Sequence, residues 1–420
     1  MTGPQRDCPY GSPPPESLTR PTLSARTTKT RFTVTQVLNP RFQNPSQNAP
    51  SGFRALVEAY AKYSTVLSPA IRFAEQHNPL LHPVIKRNAM TGVVEAIPER
   101  NDFEYLSPVQ IGTPPQTVNL AIDTGSADLW VVTSNTPRAL LTTHKLYTPQ
   151  NSSTSSLVHN HTWSIHYGDG SNAAGTVYRD AVSLGPVTSR HQTVQSASRI
   201  SRAFTWDAAC SGILGLGFSH GSSVRPGKAL TFMDSVRHKL AQEVSTADLK
   251  KGRPGRYGFG YVDRAAYTGR MGYAEVTPRD AIWWRFLVDG VQAGNETWRD
   301  GFAAIADTGT SLLLVPQGAV REYYALVEGS GYDRDWAGWV FPCAARMPDW
   351  SFWLRDGYRG TVPGRYMVYS RMNGTHCFGG MQSSEGIPFA IFGDVLLKAQ
   401  FVVFDLGEKR VGFASKVLTS

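Results

Sequence analysis

The sequence predicts a mostly β protein of two lobes built on one plan, and three observations carry that prediction. Past residue 88 the chain breaks into short runs rich in β-branched and aromatic residues, cut by Gly, Pro, Asn and Ser. One short motif, Asp-Thr-Gly, occurs twice in the same setting, as "AIDTGSADLWVV" from Ala121 and as "AIADTGTSLLLV" from Ala304. Each copy is followed at a similar distance by an apolar-apolar-Gly run, "ILGLG" starting 90 residues after Asp123 and "IFGDV" starting 84 residues after Asp307.

The elements follow in order. Residues 1–30 are rich in Pro, Ser, Thr and Arg ("CPYGSPPPESLTRPTLSART") and hold too few apolar side chains to offset the entropy of ordering, which predicts a disordered tail. Apolar residues then recur at helical spacing in "FRALVEAYAKYSTVL". Beyond residue 88, "FEYLSPVQIG", "TVNLAIDTG", "LWVVT", "TWSIHYGDGS", "GTVYRDAVSLG", "FLVDGVQAG", "FVVFDLG" and "RVGFAS" read as strands. Helical periodicity returns only in places such as "ALTFMDSVRHKLAQEV" and "VREYYALVEGS".

Composition sets limits on function. A chain of 420 residues that is 41% hydrophobic and 18% charged buries a sizeable core. The longest apolar pieces, "TSLLLVP" and "FVVF", fall far short of the roughly 18 residues a membrane span needs, so no membrane partner is expected. Net charge is +9, but residues 1–87 hold 11 Lys/Arg against 4 Asp/Glu; of the chain totals of 42 and 33, that leaves a nearly neutral body of 31 and 29. The basic excess belongs to a separable segment and does not indicate a nucleic-acid partner. "LKKGRPGR" from Leu249 to Arg256 reads as a solvated loop. No charged start followed by an apolar run marks a secretory signal at the front.

The repeated motif carries the chemistry. In each half an apolar strand delivers Asp, Thr and Gly to a tight turn, and the later apolar-apolar-Gly strand packs beside it. The glycine suits a turn with positive φ or a close backbone approach. Ser126 and Thr310 stand where their hydroxyls can donate to the carboxylates. Two carboxylates brought together cannot both ionise cheaply, so they share a proton and titrate as one unit with a low and a raised pKa. A water between them can lose a proton to one while the other protonates a carbonyl oxygen.

Two rival motifs are weaker. "HNHTWSIH" contains His159, His161 and His166, and alternate residues share a strand face, but no Cys or carboxylate completes a ligand set, and neither metal nor other cofactor is expected. "GFSHG" fits the pattern of a serine-nucleophile turn at Ser219. That turn belongs between a strand and a helix in alternating βαβ units, which this short-stranded chain lacks.

These residues resemble the pepsin family of aspartic peptidases, in its fungal penicillopepsin and endothiapepsin branch, over roughly residue 30 to the end. Besides the two motifs, the likeness rests on "YLSPVQIGTPPQ", "WSIHYGDGS", "SGILGLGFS", "GRYGFGYVD", "FPCAARMPDWSF", "CFGGMQ" and "FAIFGDVLLKAQFVVFDLGEKRVGFA". Aspartic peptidases are the type case of the shared-proton behaviour described above. The resemblance implies a bilobal, pepsin-like acid-protease fold with a cleft between two β lobes, and Asp123 and Asp307 as the catalytic dyad. It implies supporting roles for Thr124, Gly125, Ser126, Thr308, Gly309 and Thr310. Tyr167, Gly168 and Asp169 match the tip of the flap hairpin over the substrate, and Trp130 the indole that holds the flap tyrosine.

Further expectations follow from the same likeness. Residues 31–87 resemble a propeptide in which Lys62 and Tyr63 block the cleft, with Lys86-Arg87 as processing site. The N-terminal lobe then spans about 88–285 and the C-terminal lobe 286–420. Cys343 and Cys377 match a disulfide of fungal members, whereas Cys8 and Cys210 have no assigned partner. Asn151, Asn160, Asn295 and Asn373 begin glycosylation sequons. The implied activity is endopeptidase action in acid on an extended polypeptide by a monomer, in a secreted or vacuolar setting. A second reading keeps the fold for ligand binding or a biosynthetic step on a non-protein substrate. Two departures bear on it: Cys210-Ser211 replaces the usual residue before "GILGLG", where Cys210 reads as a small buried hydrophobe, and "SFWLRDGYRGTVPGRYMVY" is rich in Arg and aromatics, which predicts an altered cleft wall.

Overall fold

The computed structural model describes residues 29–38, 51–64, 67–78, 105–141, 144–166, 172–201, 204, 208–278 and 281–418. Of the disordered tail expected over residues 1–30, residues 1–28 lie outside them, as do Cys8, the Lys86-Arg87 pair and the flap-tip residues Tyr167, Gly168 and Asp169, whereas Thr30 donates its N–H to the Lys239 carbonyl at 2.9 Å.

The chain is mostly β, and the strands fall where the alternating and apolar runs predicted. A nine-stranded sheet takes one edge strand, Val37–Leu38, from the N-terminal segment and the rest from the first half of the body, including Tyr105–Ile111, Gln116–Asp123, Leu129–Val132 and Gly212–Gly215, with the long hairpin Ser156–His166 and Asn172–Leu184. The second half forms a five-stranded and two four-stranded sheets. A six-stranded sheet joins the halves, in the order Phe32–Thr35, Arg256–Phe259, Val244–Asp248, Gln400–Asp405, Arg410–Ser415, Thr268–Glu275. All six residues of Gln400–Asp405 are buried, which is why "FVVF" reads as a continuous apolar run rather than an alternating one.

The internal repeat is visible in the pairing. Gly212–Gly215 lies parallel to Gln116–Asp123 on one side and antiparallel to Leu129–Val132 on the other, with Asp123 opposite Gly215. Ala390–Phe392 sits in the same way, parallel to Phe302–Ala306 and antiparallel to Leu313–Val315. Each apolar-apolar-Gly strand is thus wedged between the strand entering and the strand leaving its Asp-Thr-Gly turn.

The described residues of the N-terminal segment pack as part of this body. Phe32–Thr35 alternates buried and exposed and pairs antiparallel with Arg256–Phe259. Helix α1 (Ser51–Tyr63) buries Phe53, Leu56, Val57 and Tyr60 against Ile305, Leu312, Leu314, Phe378 and Ile387. Tyr60 donates its hydroxyl proton towards the carbonyls of Ser383 and Glu385, at 3.0 and 2.8 Å. Helix α2 (Pro69–His77) starts at Ser68, whose Oγ accepts the Ile71 N–H at 3.2 Å, and Pro69 fills the first turn where an N–H has no helical partner.

One helix is much shorter than its periodicity. In "ALTFMDSVRHKLAQEV" only Phe232–Val236 is α-helical; a 3-10 turn at Arg237–Lys239 follows, and Val244 already begins a strand. The competing force is sheet pairing, because Val244–Asp248 sits between two strands of the central sheet. Cys343 and Cys377 form a disulfide across 34 residues, a loop whose closure is worth roughly 3–4 kcal/mol in the chain-entropy picture.

Asp248 ties the central sheet to the C-terminus. The buried Lys416 ammonium reaches its carboxylate at 3.3 Å and the Leu249 carbonyl at 2.6 Å, while Lys250 and Arg256 approach the same carboxylate at 2.8 and 3.3 Å. Burial pulls Lys416 down to about 7 against the attraction of Asp248. Asp248→Ala leaves that lysine buried without its counter-ion, and the expected cost is about 3–5 kcal/mol, read as a lowered denaturant midpoint; an unchanged midpoint contradicts this account.

Candidate active site

The two Asp-Thr-Gly turns meet at the ends of their strands, 184 residues apart in sequence at the threonines. Thr124 N–H donates to Thr308 Oγ1 at 3.1 Å, and Thr308 N–H donates to Thr124 Oγ1 at 3.0 Å. Each hydroxyl then donates across to the opposite strand, Thr124 to the Ala306 carbonyl at 3.0 Å and Thr308 to the Ile122 carbonyl at 2.8 Å. Four bonds therefore fix one turn against the other.

The carboxylates receive matching donors. Asp123 accepts the Gly125 N–H at 2.8 Å and the Ser126 hydroxyl at 2.5 Å. Asp307 accepts the Gly309 N–H at 2.8 Å and the Thr310 hydroxyl. A Cβ at Gly125 would run into the Asp307 carboxylate, and one at Gly309 into the Asp123 carboxylate. Neither glycine has positive φ, so of the two reasons for Gly here, close approach is the one that applies.

The dyad is buried, Asp123 at 2% and Asp307 at 0% exposure. Burial raises Asp123, opposed in part by the Lys62 ammonium and reinforced by the neighbouring Asp307. For Asp307 burial pushes the same way, but Lys62 and the donors from Thr310 and Tyr63 outweigh it and hold the group below the usual carboxylate range. Lys62 Nζ stands 2.6 Å from Asp123 Oδ1 and 3.0 Å from both Asp307 oxygens. The two carboxylates raise its pKa despite the cost of burying it. Tyr63 donates to Asp307 Oδ2 at 2.7 Å, its ring set edge-on against Trp283 and Phe389.

A cavity of about 540 Å³ remains beside α1 and reaches both Asp-Thr-Gly turns, lined by Trp130, Ile165, His166, Phe204, Cys210 and Ile213 among others. Trp130 is buried on Leu129–Val132 beside Trp163 and Phe204, at 6.1 and 5.2 Å between ring centroids. Its Nε1 finds no hydrogen-bond partner among the described residues. Sequence reasoning missed Phe204, Trp283 and Phe389, single aromatics in no recognisable pattern. Asp128 was missed too, although it stands within the first motif; burial raises it, while donors from Ser223 oppose that rise.

Several expectations resolve differently. Cys210 is half-buried and faces the cleft, with its Sγ 3.4 Å from the Gly212 carbonyl, so it is a cleft-wall residue rather than a core hydrophobe. None of "SFWLRDGYRGTVPGRYMVY" lines that cavity, although its Tyr369 packs in the cluster that α1 forms with the second half. Ser219 opens a 3-10 turn, donates to the Asp234 carboxylate and accepts the Thr231 N–H at 3.0 Å; this is a capping arrangement, not a nucleophile turn. His159 lies exposed and His161 half-buried on the Ser156–His166 strand.

Thr124→Val removes one bond in each direction and leaves the Thr308 N–H and the Ala306 carbonyl unpaired at a buried junction. The expected loss is about 1–3 kcal/mol for each orphaned group, measured by denaturant unfolding. A loss under half that size would show the cross-links to be incidental.

Comparison with known proteins agrees with this geometry. The family described as eukaryotic aspartyl protease matches residues 104–416. Aspergillopepsin-1 of Aspergillus oryzae is 40% identical over 387 residues, covering 92% of this chain and 93% of that protein. Penicillopepsin-1 of Penicillium janthinellum is 44% identical over 327 residues, covering 78% and 99%. The crystal structure of aspartic proteinase from Irpex lacteus superposes with a TM-score of 0.62 at 22% identity, over 76% of this chain and 95% of that one, a likeness of fold. The chain is an aspartic peptidase and belongs to the eukaryotic aspartyl protease family.

Proposed function

We propose that Asp123 and Asp307 together hydrolyse peptide bonds in acid, and that the chain is made as a zymogen whose N-terminal segment closes its own cleft. The observation that carries the reading is the position of Lys62 Nζ, within 3.0 Å of oxygens on both carboxylates. One heavy atom can therefore touch both groups at once. Once the lysine leaves, a water in that place is within reach of both.

The chemistry then needs no other reagent. One carboxylate takes a proton from the water as its oxygen attacks the peptide carbonyl carbon, and the other, protonated, hydrogen-bonds the carbonyl oxygen. The tetrahedral species collapses when the amide nitrogen accepts a proton and the C–N bond breaks. The two aspartates act as one titrating unit. The hairpin from Ser156–His166 to Asn172–Leu184 leads to Tyr167, Gly168 and Asp169, which as the flap would cover an extended polypeptide, with Trp130 beneath.

The segment over 31–87 acts as an intramolecular inhibitor in this reading. Cleavage after Lys86-Arg87 leaves a chain from about Asn88, whose lobes divide near residue 285. Asp307 is held below its ordinary value, so its contribution to the Lys62 contact is complete above about pH 4 and is lost as pH falls through its folded value. Asp123, raised, shifts in the opposite sense and takes the first proton as the solution acidifies. Mild acid thus takes one of the ammonium's two counter-charges, that of Asp123, and leaves Asp307 ionised.

Two outcomes are expected. Acid-treated wild type should digest an unfolded protein between about pH 3 and pH 5, and Asp123→Asn or Asp307→Asn should each lower kcat/KM by at least about 10³-fold; wild-type folded protein that cleaves nothing at any pH defeats the peptidase mechanism. Lys62→Ala should open the cleft without acid, so that substrate is cut near pH 6, where wild type is silent. If this variant stays as closed as wild type, the segment's hold comes from the apolar face of α1 alone.

A further inference from the structure

Two stretches that take no part in the cleft come together on another face of the molecule. Lys251, in "LKKGRPGR", donates its Nζ proton to the Arg365 carbonyl at 2.7 Å across 114 residues. Lys251 and Arg365 then share the Tyr366 ring, 5.0 and 5.2 Å from its centroid. Along the same chain, Arg359 lies 5.4 Å from the Trp353 ring, and Arg270 meets the Asp356 carbonyl at 3.0 Å beside the turn that holds Arg355. Six residues of extended chain from Arg359 to Arg365 span at most about 20 Å, so these cations follow one another closely along one strip of chain.

Charge balance makes the strip net positive. Of the nearby carboxylates, Asp248 is engaged by Lys250, Arg256 and Lys416, Asp263 by Arg256, and Asp356 by Arg270 and the Tyr273 and Tyr358 N–H groups, while Asp349, which accepts the Gly364 N–H at 2.8 Å, offsets one of the cations. Arg253, Arg355, Arg359 and Arg365 are exposed and have no carboxylate within ion-pair distance among the described residues.

We propose that this face binds a polyanionic glycan bearing sulfate or phosphodiester groups, holding the enzyme to such a polymer while the cleft stays free. Guanidinium forks match the paired oxygens of these anions. Guanidinium or ammonium groups already lie over the Trp353 and Tyr366 rings, so these do not offer bare platforms for stacking bases, which disfavours single-stranded nucleic acid. Sulfate and phosphodiester keep their charge in acid, whereas carboxylates near their ordinary pKa lose it. Binding by the strip does not depend on the cleft chemistry proposed above; only the preference for anions that stay charged in acid rests on that reading.

The test measures binding of the full chain to heparin and to a phosphodiester-bearing mannan at about pH 5 across a salt series. Wild type is compared with the triple variant Arg355→Ala, Arg359→Ala, Arg365→Ala and with a control triple at the exposed Arg190, Arg199 and Arg321. The first triple should bind at least one of the glycans at least about tenfold more weakly, with a salt slope shallower by roughly one per arginine removed, and the control should change by less than about twofold. Lysine at the same three positions should restore most of the binding, which separates charge from misfolding. Equal loss in both triples, or undiminished binding in the first, overturns the proposal. So does binding that appears only with anionic vesicles or single-stranded RNA and with neither glycan, since it assigns the strip to another partner.

Discussion

Two carboxylates buried side by side are the constraint on which the rest depends. Removing one ionised group from water costs several kcal/mol, and a second of the same sign raises that cost unless donors or a counter-charge meet it. Their polar neighbours answer that demand: a backbone N–H and a nearby hydroxyl for each, the Tyr63 hydroxyl for Asp307 besides, and one ammonium common to both. The donors come from the same turns as the acids, so the local sequence that supplies the charge also supplies most of its solvation.

The requirement propagates outward. The two turns must approach closely enough for each carboxylate to occupy the space a Cβ would take on the other turn's glycine. Holding them there falls to the reciprocal threonine bonds, and these are rigid only because each turn emerges from a sheet in which the apolar-apolar-Gly strand is wedged against it. The six-stranded sheet then keeps the two halves in register, with strands drawn from the beginning, middle and end of the chain.

Much of this was legible in the sequence because it is local. The Asp-Thr-Gly turns, the strands around them, and the hydroxyls of Ser126 and Thr310 all lie within a few residues of one another, where spacing decides geometry. Lys62 and Tyr63 were readable only through resemblance, since nothing in "AYAKYS" by itself says that its lysine reaches residues far along the chain. The aromatic walls from Phe204, Trp283 and Phe389 were not legible, because an aromatic in a loop carries no address. The same holds for Lys416 with Asp248, a pair formed across 168 residues by the closing of a sheet. Where local periodicity and sheet pairing competed, as after Val236, pairing won, and a periodic pattern gave too long a helix.

The N-terminal strand has a consequence of its own. Phe32–Thr35 lies at the border of the six-stranded sheet, hydrogen-bonded along Arg256–Phe259. A chain severed from that strand would leave Arg256–Phe259 as a bare border with unanswered amide groups, a surface that invites any extended peptide to add to it. The border strand is only four residues long, begins with the charged Arg256, and turns away at Gly260 with φ of 82°. Those features limit how far a foreign strand could run along it, so separation from its own first strand would expose a short template rather than a long one.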